Sequence, residues 1–106
     1  MLPKNKRLDK KTLTEILNDK RVFSSHLFLF FHKNSDKPQY SFVAPKNIFK
    51  SAVMRNKHRR IGYNILRKVD VKSRSGVFFY KKGSNKVKRD EIEKDVIFIL
   101  KNVNFL

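Results

Sequence analysis

A chain of 106 residues with 26 Lys and Arg against 9 Asp and Glu, formal net charge +17, has room for one modest core and calls for a polyanion to offset its self-repulsion. Its 40% apolar content and ten phenylalanines exclude a disordered chain, and the absence of cysteine excludes disulfides and thiolate metal sites and suits the cytoplasm. Apolar runs such as Leu27–Phe31 fall far short of the roughly 20 residues a membrane span needs, and the opening MLPKNKRLDKK lacks the apolar stretch of a signal peptide.

One domain covering residues 1–106 is expected, with 1–7 as a basic, Pro-containing arm of little intrinsic structure. Leu8 to Asp19 has helical spacing, with Leu13, Ile16 and Leu17 on one face. Two starts compete for that helix: Asp9 as N-cap with Leu8 and Leu13 as a staple, or a capping box of Thr12 with Glu15. From Val22 to His32 the period changes to that of a strand, with Leu27, Leu29 and Phe31 on one side and Phe28, Phe30 and His32 on the other. The polar cluster KNSDKP predicts a turn, so the strand should fold back onto a second one at Gln39–Ala44, which Pro45 ends.

Residues 47–69 form the longest periodic segment. At about 100° per residue, Met54, His58, Ile61, Ile65 and Val69 make an apolar stripe, while Arg55, Asn56, Arg59, Arg60, Tyr63 and Arg67 gather on another face. One helix can therefore hold its own core and offer cations outward. SRSG breaks the pattern, Val77–Lys81 reads as a strand, and Ile92, Val96, Ile99 and Val103 make a last helix with Asp90 and Glu91 near its positive end. The fold expected is α+β, a small α/β sandwich in the order helix, two or three strands, helix, strand, helix, with the helices on one face of a mainly antiparallel sheet.

The positive charge is local. Between Asp36 and Asp70 stand nine lysines and arginines and no acid, whereas four of the nine acids lie within residues 90–95. A helix that is merely solvated mixes signs at i and i+4, because like charges there cost about 0.2–0.5 kcal/mol a pair; Arg55 and Arg59 are such a like pair. Lysine and arginine together suit several backbone phosphates. Phe31 and the Leu13/Leu17 face are open to two readings, as supports for unstacked bases or as ordinary core.

At SAVMRNKHRR the chain resembles the protein subunit of bacterial ribonuclease P, whose signature has the form A-V-x-R-N-R-x-K-R. Ala52, Val53, Arg55, Asn56 and Arg60 match, Lys57 and Arg59 keep the charge, and the basic stretch PKNIFK and the arm LPKNKRL also have counterparts. The resemblance implies a left-handed β-α-β crossover, against the usual handedness. It implies no catalytic residue and no metal or cofactor on the protein; a catalytic RNA partner with magnesium at its own active site cleaves the 5′ leader of precursor tRNA. By position it implies that Arg55, Asn56, Lys57, Arg59 and Arg60, with Lys50 and Arg67, contact the catalytic RNA. Leu13, Leu17, Phe31 and Lys46 would line a cleft for the single-stranded leader, and the protein would act as a monomer in the holoenzyme. Leu13 and Leu17 replace phenylalanines common in the family, which weakens stacking there. His58 stands for an aliphatic, as a partly buried neutral histidine, and Tyr63 and Asn64 replace an Arg and an acid or amide.

Rival readings fare differently. A self-contained nuclease needs carboxylates converging on metal, zinc lacks its ligands, and His26, His32 and His58 have no partner at suggestive spacing. A ribosomal or general RNA-binding protein shares the charge and size. A duplex-DNA reader needs base-reading side chains and usually a dimer.

Overall fold

The computed structural model describes residues 10–19, 21–34, 39–69 and 74–105. The arm 1–7, the staple residue Leu8 and the expected cap Asp9 lie outside them. Helix α1 (Lys10–Asp19) is followed by strands β1 (Val22–Ser24), β2 (Phe28–Asn34) and β3 (Gln39–Val43), helix α2 (Ala52–Arg67), strand β4 (Arg74–Tyr80) and helix α3 (Arg89–Asn102). Because α1 is already formed at Lys10, Thr12 lies inside it and does not start it.

The expected long strand at 22–32 is two strands. Ser25 breaks it: its amide donates to the Phe28 carbonyl at 2.8 Å, and its Oγ accepts from the Phe28 amide at 3.1 Å, closing a tight turn. Asp95 of α3 braces that turn, its Oδ2 accepting from Ser25 Oγ at 2.6 Å and from the Leu27 amide at 3.1 Å. The register pairs Val22 with Phe31 and Phe23 with Phe30, so the alternation changes phase across the turn and Phe23 shares a face with Phe30, where one continuous strand would put it with Phe31.

Strand order is β1-β2-β4-β3. β1 and β2, and β2 and β4, are antiparallel; β3 is parallel to β4, so α2 forms the crossover between them. The expected pairing of β2 with β3 across KNSDKP does not occur. β4 sits between them, pairing Phe30 with Phe78 on one side and Phe42 with the same Phe78 on the other. That choice buries aromatics: Phe28, Phe30, Phe42, Phe78 and Tyr80 all lie within the core, and Phe42 stacks on Phe78 at 4.5 Å with planes 5° apart.

This aromatic face is covered by α2 and α3, through Ile65, Leu66, Ile92, Val96, Ile99 and Leu100, and by Phe105. Helix α1 lies against β2 and β4, where Ile16 and Val77 are fully buried apart from the main cluster. The helices are therefore not all on one face. Both sheet faces carry large apolar chains, and residues of opposite parity, Phe30 and Phe31 for example, cannot share one cover.

Two glycines make room for aromatic rings, Gly62 between α2 and the sheet and Gly76 between neighbouring strands of the sheet. A Cβ on Gly62 would lie 2.5 Å from the Phe42 ring, and one on Gly76 would lie 2.2 Å from the Phe30 ring. The Gly62 contact sets α2 directly on the sheet, and thus fixes where the outward face of that helix points.

Candidate nucleic-acid interface

Helix α2 begins where Ser51 caps it, its Oγ accepting from the Met54 amide at 3.4 Å. Before the cap, residues 45–50 form a turn rather than the helix predicted from Asn47: the Pro45 carbonyl accepts from the amides of Ile48 at 3.1 Å and Phe49 at 2.9 Å. Phe49 is buried, 4.4 Å from the His58 ring. His58 is itself buried, its Nδ1 2.9 Å from the Met54 carbonyl, and its own carbonyl accepts from Tyr80 Oη at 2.7 Å. Burial pushes the Tyr80 hydroxyl above its usual pKa, which keeps it a donor in that bond. A histidine on the helix stripe thus serves packing.

With this side of α2 turned inward, Asn56, Lys57, Arg59, Arg60 and Arg67 are exposed, as is Lys50 before the cap. Val53 joins them, 75% exposed on the first turn. Arg59 Nη2 donates to Asn56 Oδ1, one turn back. Arg55 is half-buried, with Nη1 donating to the carbonyls of Phe49 at 2.9 Å and Lys50 at 3.2 Å. Tyr63 does not share the cationic face; it is buried with its ring 5.5 Å from Phe42 and its Oη accepting from the Phe42 amide at 3.4 Å. Among the described residues no carboxylate pairs with Lys50, Arg55, Lys57, Arg59, Arg60 or Arg67; the nearest ion pair on this helix's end is Lys68–Glu93 at 3.7 Å.

On the α1 side of the sheet an open apolar cleft of about 660 Å³ is lined by Leu17, Leu29, Phe31, Pro45, Phe79 and the stretch Tyr80–Lys82. Phe31 meets Phe79 edge-on at 5.5 Å. Of the four cleft residues expected from the sequence, Leu17 and Phe31 are in the lining; Leu13 is half-buried on α1 and Lys46 is exposed beside Pro45. Leu29, Pro45, Phe79, Tyr80, Lys81 and Lys82 complete the lining without being marked by the sequence. The signal for Phe79 is its parity with Phe31, which counts only once β4 is known to pair with β2. Lys81 Nζ donates to Ser24 Oγ and the Ser25 carbonyl, tying the cleft rim to the β1–β2 turn.

No metal seat accompanies these surfaces among the described residues: no three His, Cys, Asp or Glu side chains are grouped to hold an ion. His26 is exposed on the β1–β2 turn and His32 lies against Phe30 and Phe105, whereas His58 lies against Phe49 and Tyr80. No helix among the described residues is long and apolar enough to cross a membrane.

A ribonuclease P family model matches residues 2–104. The chain belongs to the ribonuclease P protein family. It is thereby an RNase P protein subunit with a place in tRNA processing. The structure is similar to the RNase P protein of Staphylococcus aureus, with TM-score 0.85 at 16% identity over 96% of this chain and 98% of that one. The RNase P protein from Thermotoga maritima gives TM-score 0.81 at 20% identity, over 91% of this chain and 96% of that one. At such identities the likeness establishes the shared fold. No curated protein matches the sequence.

Proposed function

We propose that this chain is the noncatalytic cofactor of ribonuclease P, binding the catalytic RNA with the exposed face of α2 and the single-stranded 5′ leader of precursor tRNA in the apolar cleft. One observation carries the reading: an acid-free cationic helix face and an apolar cleft adjoin through the turn that starts at Pro45. Asn56, Lys57, Arg59 and Arg60, with Lys50 and Arg67, meet phosphates of the catalytic RNA. A polyanion docked there releases counterions and offsets the chain's surplus of positive charge.

In the cleft, Phe31 and Phe79 offer ring faces and edges to unstacked bases, Leu17, Leu29 and Pro45 exclude water, and Lys46 and Lys82 stand at the rim for leader phosphates. Holding catalytic RNA and leader at once aligns the scissile phosphodiester with the RNA active centre, a proximity effect. Magnesium bound by the catalytic RNA would supply the hydrolytic chemistry, and the protein's own residues would bind and orient the two RNAs around it. The protein acts as a monomer in the holoenzyme, in the cytoplasm.

Reconstitution tests the proposal. The purified protein should accelerate cleavage of precursor tRNA by the cognate catalytic RNA at low magnesium, and shortening the leader should remove most of the gain in substrate affinity. A protein that binds structured RNA without stimulating cleavage would belong with general RNA-binding proteins instead.

A further inference from the structure

Arg55 occupies a signature position, yet it differs from its neighbours there. Asn56, Lys57, Arg59 and Arg60 are exposed, whereas Arg55 is half-buried and its Nη1 is spent on the carbonyls of Phe49 and Lys50. Those carbonyls end the turn that Pro45 opens, and the turn is otherwise held by two bonds to the Pro45 carbonyl and by burial of Phe49 against His58 and Tyr80. Its exposed cations are Lys46 and Lys50, and Pro45 is part of the cleft wall. A guanidinium that caps two carbonyls of a turn while rooted in the next helix fixes one against the other. Lysine cannot replace it, since its side chain is about one bond shorter and ends in a point-like ammonium.

We infer that Arg55 is a positioning residue: it locks the Pro45–Lys50 turn onto the first turn of α2, setting Lys46 and Lys50 relative to the leader cleft, and is not itself a phosphate contact. The effect on RNA rests on the proposed function; the lock itself does not. Arg55 then couples the two surfaces, so that cleft wall and cationic face hold a fixed relation before any RNA arrives.

Two measurements decide it. In the free protein, hydrogen exchange at the Ile48 and Phe49 amides should be about tenfold faster in both Arg55→Lys and Arg55→Ala, with the later turns of α2 unchanged, because a hydrogen bond from a charged donor is lost. Exchange equal to wild type would overturn the lock whether or not the protein binds RNA. In the holoenzyme, Arg55→Ala should weaken binding of long-leader precursor about tenfold. In a Lys46→Ala, Lys50→Ala background the same substitution should cost nothing further and leave the salt slope unaltered. A further loss there, with the slope of log K against log salt flatter by about one unit, would make Arg55 a direct phosphate contact and refute the inference. Recovery of wild-type exchange and affinity by Arg55→Lys would refute it equally.

Discussion

Gly62→Ala tests the packing that aims α2. The added methyl would lie 2.5 Å from Cγ and Cδ1 of Phe42 and 2.6 Å from Cε1, about 1 Å inside ordinary contact. The ring has nowhere to go: Phe42 is 1% exposed, stacked on Phe78 at 4.5 Å and met edge-on by Tyr63 at 5.5 Å and Phe28 at 6.0 Å. The helix must therefore lift. Overpacking of a tight core costs about 1–3 kcal/mol, and three ring atoms struck at once place this site near the top of that range. Alanine returns about 1 kcal/mol of helix propensity. The net expectation is a loss of about 2 kcal/mol, which for a domain of this size lowers Tm by about 10 °C. Urea and thermal unfolding measure it directly. Because lifting α2 also shifts its cationic face from the cleft, long-leader precursor affinity should fall in the folded variant too. A neutral or stabilising Gly62→Ala would refute the close approach of helix and sheet, and with it the reasoning that this contact aims the helix.

Arg59→Ala and Arg60→Ala should each weaken catalytic-RNA binding and flatten its salt dependence by about one unit, and an unchanged slope would place the phosphate elsewhere. Phe31→Ala should impair long-leader precursor more than mature tRNA, by about 1–3 kcal/mol if a base stacks on the ring; equal losses on both RNAs would leave Phe31 as wall packing alone. Tyr80→Phe removes the donor to the His58 carbonyl and should cost about 1 kcal/mol near neutral pH. It should also change the alkaline limb. Burial raises the Tyr80 pKa above its usual 10.0, so the unfolded chain ionises first; the tyrosine's contribution is complete below that pH and is lost as pH climbs toward the folded value. Urea melts between about pH 8 and about pH 11 should show a shallower decline in Tyr80→Phe, and parallel declines would contradict the buried hydroxyl.

The sequence by itself determined the helices, the strand faces and the charge map. Helical spacing marks Ile65 in α2 and Ile92, Val96 and Ile99 in α3, alternation separates Phe28 and Phe30 from Leu29 and Phe31, and the run without acids between Asp36 and Asp70 marks the cationic surface. These are local properties, set by period and composition, so they survive without knowledge of the fold. Tertiary structure decided what meets what. The hairpin at Ser25 needs Asp95, seventy residues later, to brace its turn. The insertion of β4 between β2 and β3 depends on Phe78 completing two strand pairs at once. Leu29, Pro45 and Phe79 become one cleft only after that insertion, while Tyr63 leaves the cationic face because its hydroxyl finds the Phe42 amide. Arg55 is the sharpest instance: its charge is legible in the motif, but its bonding is set by how the Pro45 turn folds back on α2, since a side chain's partners follow from the packing of distant segments and not from the spacing of its own.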